Sequence, residues 1–297
     1  MSTGFADLVQ VLVSGLGQGS VYALVALGLT LIYRSTTTLN FAHGALFMLA
    51  PFIALALYVR GTPLLFSIVV ALLAVAILGW VVDKMAFEPL LEKDHITQVF
   101  ATVAIGFIIT GAVRYVTVDQ HAMPPFLGND AYVDVLGAKV STQYFVMIAA
   151  LVLTSLALAY FFLRTQLGLI IRACTGNLRG ASLVGINVRR VFGLMWALGA
   201  LLAGLAGVLA APTLLVGADI GNRPLIIGLA AMALGGFGSI PGAVLGGLLM
   251  GLLEVFGAFY ISTQLGDVTG LLVILLLLLV RPTGILGSSE TRLRVTA

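Results

Sequence analysis

Long runs of uncharged, mostly apolar residues alternate with short polar segments along the chain. The uncharged runs cover 8–33, 35–59, 61–82, 95–113, 140–163, 191–218 and 224–253. Each run is at or above the roughly 18 to 20 residues that a helix needs to cross the hydrocarbon of a bilayer. The strict alternation of apolar and polar residues that a membrane β-barrel requires is not present. The pattern therefore predicts membrane-spanning α-helices.

The predicted fold is an all-α integral membrane protein, a polytopic helical bundle of eight or nine hydrophobic segments. The segments lie near 8–33, 40–58, 63–82, 97–117, 143–163, 191–211, 225–237, 243–261 and 268–280. Those at 225–237 and 268–280 give only about 20 Å of helix at 1.5 Å per residue. They are half-helices, tilted helices, or longer than the flanking charges suggest. With no long polar insertion, we expect residues 1–297 to form a single transmembrane domain.

Composition supports a bilayer as the surrounding medium. Of the 297 residues, 60% are hydrophobic and 9% charged, whereas about a quarter are charged in a soluble domain. The 35 glycines suit membrane helices, which approach closely through small residues, and Gly199–Gly207 and Gly242–Gly251 are the expected packing faces. The one cysteine, Cys174, excludes a disulfide within the chain. Scattered basic residues and a net charge of +3 do not indicate a nucleic-acid partner.

The distribution of Lys and Arg predicts the orientation, because short cytoplasmic loops carry the excess of basic residues. With segment 164–190 inside, 11 of the 15 basic residues fall on the cytoplasmic side, the amino terminus lies outside and the carboxyl terminus inside. The inside residues are Arg34, Lys84, Lys93, Arg164, Arg172, Arg179, Arg189, Arg190, Arg281, Arg292 and Arg294. The polar stretch 118–142 then becomes an outer loop, either a connector or a contact site for a partner.

Motifs for catalysis are missing from the chain. No G-x-x-x-x-G-K-[ST] occurs, and the three lysines are not placed to hold nucleotide phosphates. There is no H-E-x-x-H, no G-x-S-x-G and no cluster with metal-ligand spacing. We therefore expect no enzyme activity, no metal site and no cofactor on this chain.

Six polar side chains within or beside the apolar segments are candidates for lining a translocation pathway, because such groups are costly in hydrocarbon unless they are paired or face a cavity. They are Gln18, Ser20, Tyr22, Asn40, His43 and Glu254. Alternatives remain for three of them. Asn40 could cap a helix, and His43 could form one interhelical hydrogen bond. Glu254, the only charge from Pro224 to Gly266, could be protonated, paired with an arginine or exposed to a cavity.

Segment 164–190 differs from the spans, because its apolar residues recur at three- and four-residue steps. Ile170, Ala173, Cys174, Ala181 and Val184 follow this spacing. The pattern predicts short helices at the membrane surface with one apolar side. Such helices either rest on lipid or contact a soluble partner.

Five motifs in the same order resemble the permease subunits of branched-chain amino acid ABC importers, and more closely the shorter of the two permeases. They are Gly19–Leu24, Asn40–Gly44, Arg172-Ala173 with Ala181–Ile186, Gly235–Ala243 and Val280–Gly284. The resemblance extends from about residue 10 to residue 287.

This resemblance implies a multi-pass subunit of the bacterial inner membrane. Its partners would be a second, different permease chain, two cytoplasmic ATPases that bind ATP and Mg, and an extracytoplasmic solute-binding protein. Segment 164–190 would be the coupling helix that contacts the ATPase. The residues carried over for this contact are Arg172, Ala173, Asn177, Ala181, Gly185 and Ile186. Transporters of this kind often contain inverted repeats and broken helices, and the segments near Asn40 and at 225–237 would be counterparts.

The function expected from this resemblance is ATP-driven import of branched-chain or other hydrophobic amino acids. A stand-alone channel or an ion-coupled secondary transporter for a small polar solute is the alternative, with Glu254 and His43 as ion-coupling groups. Only the importer requires segment 164–190 to contact a soluble partner.

Overall fold

A computed structural model of the chain describes residues 2–91, 93–116, 122–126 and 132–263, with 268, 270, 272, 273, 275, 276, 279 and 284–286. In chain order the elements are α1 (Ser2–Thr36), α2 (His43–Val59), α3 (Leu64–Val82), α4 (His95–Val116), β1 (Tyr132–Val135), β2 (Ala138–Ser141), α5 (Thr142–Arg164), α6 (Gln166–Gly176), α7 (Leu178–Leu183), α8 (Val188–Ala210), α9 (Asn222–Gly235) and α10 (Ile240–Tyr260). A π-helical turn (Asp83–Phe87) and a 3-10 turn (Glu88–Leu90) follow α3.

Among the described residues, six helices are long and apolar enough to cross a membrane: α1, α3 with its two following turns, α4, α5, α8 and α10. Helices α2 and α9 are apolar but shorter, with 17 and 14 residues. The predicted all-α membrane fold is therefore confirmed, and the segment at 225–237 is a short helix as its length indicated. In the segment predicted at 268–280, the seven described residues (268, 270, 272, 273, 275, 276 and 279) are helical, and the other six lie outside the described residues.

Helix α1 is the centre of the packing. Every residue from Val21 to Ile32 is buried, and α1 packs against α10, α8, α5 and α9. Helices α4 and α5 instead expose large apolar side chains such as Phe107 and Leu153. An apolar side chain on the outer surface of a membrane helix meets lipid at no cost, so these surfaces of α4 and α5 suit contact with lipid.

Glycines bring α10 into backbone contact with α1. A Cβ atom at Gly251 would overlap the backbone of Gly19, and one at Gly247 would overlap that of Ala23. The four-residue spacing places both glycines on the same face of α10. The predicted Gly242–Gly251 packing face is therefore a contact surface, against α1 through Gly247 and Gly251 and against α9 through Gly242 and Gly246.

Helix α2 begins at His43, later than the start expected near residue 40. Residues 37–42 are not helical, and α4 supplies partners for their polar groups. The Thr38 hydroxyl donates to Gln98 Oε1 at 2.5 Å, and the Phe41 N–H donates to Thr102 Oγ1 at 3.1 Å. Irregular backbone within a membrane domain requires such partners inside the protein, and Gln98 and Thr102 supply them for the non-helical residues 37–42.

The two short helices begin beside each other. A Cβ atom at Gly221, just before α9, would overlap the carbonyl of Gly44 in the first turn of α2. Two interrupted helices that meet at their amino-terminal ends suit the broken-helix arrangement expected from the sequence. The inverted repeat itself stays a prediction.

The polar stretch 118–142, expected to be a loop, contains a β-hairpin. Strands β1 and β2 pair antiparallel with Val133 opposite Val140, and the turn residues Leu136 and Gly137 both have positive φ. Val140 packs against Val9 of α1, which explains why this short hairpin is stable. Residues 118–121 and 127–131 of the predicted loop lie outside the described residues.

The contact between α1 and α10 predicts different effects of a Gly-to-Ala substitution at two positions of α10. Gly251→Ala should destabilise the protein by about 1–3 kcal/mol, the usual cost of overpacking. Gly257→Ala is the matched control, because nothing lies within 4 Å of a Cβ atom there. Thermal unfolding in detergent measures both. An unchanged midpoint for Gly251→Ala would contradict the backbone contact.

Candidate functional site

A polar cluster lies between α1, α9 and α10. Arg223 Nη2 donates to Glu254 Oε1 at 2.7 Å, and Gln18 Nε2 donates to the Tyr22 hydroxyl at 3.0 Å. The Tyr22 hydroxyl lies within interaction range of the Glu254 carboxylate. The four side chains therefore form one polar network that connects the three helices.

Charge balance explains how Glu254 is accommodated in an apolar helix. Its side chain is 9% exposed, and the paired Arg223 side chain is 49% exposed. An intramembrane carboxylate costs a few kcal/mol unless it is paired or hydrated. Arg223 supplies the opposite charge from the first turn of α9. Of the three alternatives left open by the sequence for Glu254, the structure shows the pairing with an arginine.

His43 lies in a second, separate region, where α1, α2 and α8 meet. It is fully buried, and a Cβ atom at Gly28 would lie 2.6 Å from His43 Cε1 and 2.8 Å from the Gly199 carbonyl. Both ring nitrogens lack a hydrogen bond of good geometry to the described residues, although the Val25 backbone comes within interaction range of the ring. Gly28 thus leaves the space that the imidazole fills.

Asn40 precedes α2, and its side chain interacts with the neighbouring backbone. Its Oδ1 accepts from the Ala42 N–H at 3.0 Å, while its buried Nδ2 has no hydrogen-bond partner in the described part of the chain. Ser20 is also buried, and its hydroxyl donates to the Leu16 carbonyl within α1 at 2.7 Å. Neither side chain joins the Glu254 network.

Segment 164–190 folds into two surface helices, each capped by a side chain. Thr165 Oγ1 accepts from the Gly168 N–H at the start of α6, and Asn177 Oδ1 accepts from the Gly180 N–H at the start of α7. The inner side of α6 buries Ile171 and Cys174. At the end of α7, Leu183 and Val184 are 87% and 77% exposed, so the tip of the segment presents an uncovered apolar surface.

The sequence over this architecture matches one family. The model of the permease component of branched-chain amino acid transport systems matches residues 11–281. The chain is 32% identical to the high-affinity branched-chain amino acid transport system permease protein LivH of Escherichia coli strain K12, over 98% of this chain and 99% of LivH. It is 33% identical to BraD of Pseudomonas aeruginosa, over 95% of this chain and 96% of BraD.

The chain belongs to this permease family. Among solved structures, a chain of PsaBC from Streptococcus pneumoniae in complex with Fab aligns over the whole of both chains, with a TM-score of 0.50 and 16% identity. That level of identity supports a similar fold and no more. The resemblance seen in the sequence motifs is confirmed, and the protein is a multi-pass membrane permease of an importer, a class of transport proteins rather than enzymes.

The six pathway candidates of the permease separate into three places. Gln18, Tyr22 and Glu254 come together, Asn40 and His43 lie around the start of α2, and Ser20 bonds within α1. Arg223 was not among the candidates, although it completes the network 31 positions before Glu254. The sequence does contain an indication of this pair, since Arg223 directly precedes and Glu254 directly follows the uncharged run 224–253.

The six coupling candidates of the permease differ in exposure. Arg172, Ala173, Asn177 and Gly185 are exposed, Ile186 is half-buried, and Ala181 is only 4% exposed. Gly185 has a φ of 84°, which an L side chain rarely adopts. Ala181 therefore packs α7 onto the bundle, whereas the exposed members can reach another protein.

Another ion pair, formed by residues that are not among the candidates, lies beside a cavity of about 460 Å³ between α2, α4 and α9. Arg114 Nη2 donates to both carboxylate oxygens of Asp219, at 2.6 and 2.7 Å. Both side chains are more than half exposed. Solvent screening makes such a pair a weak contributor to stability, so it restrains the loop before α9 only modestly.

The Arg223–Glu254 pair predicts coupled effects of substitution. Removing one partner of a buried pair costs about 3–5 kcal/mol, but Arg223 is half exposed, so we expect an interaction energy of about 1–2 kcal/mol. Arg223→Gln and Glu254→Gln should each lower the unfolding midpoint, and the double variant should lose less than their sum. Arg60→Gln, an exposed arginine, serves as control. Additive losses in the double variant would show that the pair is not coupled.

The cysteine predicts the orientation of α6. Cys174 is 2% exposed, and burial raises the pKa of its thiol, so little thiolate exists at neutral pH. Maleimide should label the native protein slowly and the unfolded protein quickly. Ala173→Cys in a Cys174→Ala background is the matched control, because position 173 is exposed and should react at least tenfold faster. Equal labelling rates would contradict this orientation.

Proposed function

We propose that the permease carries branched-chain or similarly hydrophobic amino acids across a bacterial inner membrane as one of two transmembrane subunits of an ATP-driven importer. The match to the family over residues 11–281 is the observation that carries this proposal. LivH and BraD, both aligned over almost their full length, are named for high-affinity branched-chain amino acid transport. ATP and Mg would bind to partner ATPases, since the chain contains no phosphate-binding motif.

The proposed orientation places α6 and α7 on the cytoplasmic side with the carboxyl terminus. The excess of basic residues in and around segment 164–190 supports it. The β-hairpin then lies on the outer face, where a solute-binding protein would deliver the amino acid.

The proposed contact with the ATPase is the tip of segment 164–190. Leu183 and Val184 are among its most exposed apolar side chains, and the buried Ala181 fixes α7 beneath them. Exposed apolar residues beside a rigid anchor suit docking into a groove of another protein. Ala173, Asn177 and Gly185 would border this contact, and movement of the ATPase would pass to α5 and α8 through the capped ends of α6 and α7.

The network of Gln18, Tyr22, Arg223 and Glu254 is the proposed polar part of the pathway. Its carboxylate and guanidinium cancel each other, so the lining presents dipoles instead of a net charge. A zwitterionic amino acid can pass such a surface without being held by a single opposite charge. Arg223 is half exposed, which leaves the network accessible from the side where a second permease would complete the pathway.

Purification from a bacterial host that encodes the complete system tests the proposal. The permease should copurify with a second permease chain and an ATPase, identified by mass spectrometry. In proteoliposomes with the binding protein, leucine uptake should require ATP. Isolation of the chain alone, with solute transport that needs no ATP, would overturn the proposal in favour of a channel or secondary transporter.

Substitution at the segment tip should separate coupling from folding. Leu183→Asp with Val184→Asp places charge on exposed positions, so the free energy of unfolding should change by no more than about 0.5 kcal/mol. Association with the ATPase and ATP-dependent uptake should fall at least tenfold. Leu136→Asp, at the exposed hairpin turn, is the matched control for ATPase copurification. Normal copurification of the double variant would place the ATPase contact elsewhere.

A further inference from the structure

A second cavity, of about 440 Å³, lies at the end of the bundle that carries α6. Its walls come from the end of α1, the last turns of α5, the middle of α6 and the loop between α9 and α10. Arg34, Ser155, Phe162, Arg172, Gly238 and Ser239 are among its lining residues. None of the residues proposed for the pathway lines it, so this cavity is distinct from the pathway, and Arg172 is the one coupling candidate that it shares.

The cavity carries two positive charges that the described part of the chain does not neutralise. Arg34 and Arg172 both line it, their guanidinium groups form no hydrogen bond or ion pair with the described residues, and no described lining residue is acidic. Arg34 is half-buried. A half-buried cation without a counter-charge is unfavourable, and the exposed Arg172 adds a second positive charge to the same space.

Further donors face the same space. Ser155 Oγ is buried and has no hydrogen-bond partner among the described residues. The loop before α10 reaches the cavity with Gly238 at a φ of 78°, and the Arg34 side chain packs close to this glycine. Helix α10 then begins at Ile240, so its amino-terminal end adds positive potential. Two guanidinium groups, an unpaired hydroxyl and a helix amino terminus are the groups that bind a phosphate.

We propose that this cavity binds the phosphate group of an anionic phospholipid. The surrounding surface favours a lipid over a soluble anion. Leu163 lines the cavity and is 65% exposed, and Leu156 and Tyr160 on the same helix are 63% and 67% exposed. Acyl chains can lie along this apolar side of α5 while the headgroup enters the cavity. Basic pockets at the ends of membrane helices bind anionic headgroups in this way.

Occupancy would also connect separate elements of the permease. Arg172 belongs to α6, whereas Arg34 and the Gly238 loop belong to the bundle. A phosphate between them would tie the surface helix to α1 and α10. The lipid would therefore stabilise the end of the bundle on which the proposed coupling depends, although lipid binding itself can be measured without any partner subunit.

Thermal unfolding of the purified full-length chain tests the proposal with three additives: phosphatidylglycerol, phosphatidylcholine and inorganic phosphate. Phosphatidylglycerol should raise the midpoint by roughly 5 °C more than phosphatidylcholine, as expected for a ligand well above its Kd. Inorganic phosphate should have little effect. Arg34→Gln with Arg172→Gln should abolish the difference between the lipids, and Arg179→Gln, an exposed arginine of α7 that does not line the cavity, should retain it.

Several results would overturn the proposal. They are an equal response to both lipids in the wild-type chain, an unchanged difference in the double variant, and a phosphate effect as large as that of phosphatidylglycerol, which would indicate a soluble anion. If the double variant does not fold, a photoactivatable phosphatidylglycerol on the wild-type chain decides, because it should label the Leu158–Leu163 region and be displaced by unlabelled phosphatidylglycerol.

Discussion

Close backbone contact between helices is the constraint on which the rest of this structure depends. In a bilayer, burial of apolar side chains does not drive helices together, so association relies on van der Waals contact and on polar groups. Gly19 and Gly251 let α1 and α10 touch, and Gly44 and Gly221 do the same for the short helices α2 and α9. Each site has no room for a Cβ atom.

These contacts decide where polar groups can exist inside the bundle. Because α10 lies directly on α1, Glu254 reaches the hydroxyl of Tyr22, and α9 brings Arg223 to the same carboxylate. His43 occupies the space that Gly28 leaves open. The polar residues are therefore held by the same close approach that binds the helices, and their cost in hydrocarbon is offset by partners on neighbouring helices.

One end of the bundle is built differently from its interior. Helices α6 and α7 rest on it through Ile171, Cys174 and Ala181, while Leu183 and Val184 remain uncovered. The basic cavity lined by Arg34 and Arg172 lies at the same end. An exposed apolar tip and an unneutralised basic cavity are both incomplete surfaces, and in our proposals an ATPase covers the first and an anionic lipid fills the second.

The sequence by itself determined the membrane fold, eight of the helical segments and the family, because uncharged runs of sufficient length have few alternatives in lipid and the five motifs occur in order. It also indicated Gln18, Tyr22 and Glu254 as polar residues in apolar helices. Only the tertiary structure decided that these three meet Arg223, that Asn40 and His43 lie elsewhere, and that Ala181 is buried while Leu183 is exposed. Such assignments depend on contacts between helices far apart in the chain, and the hydrophobic pattern of one helix contains no information about which neighbour it meets or at what depth.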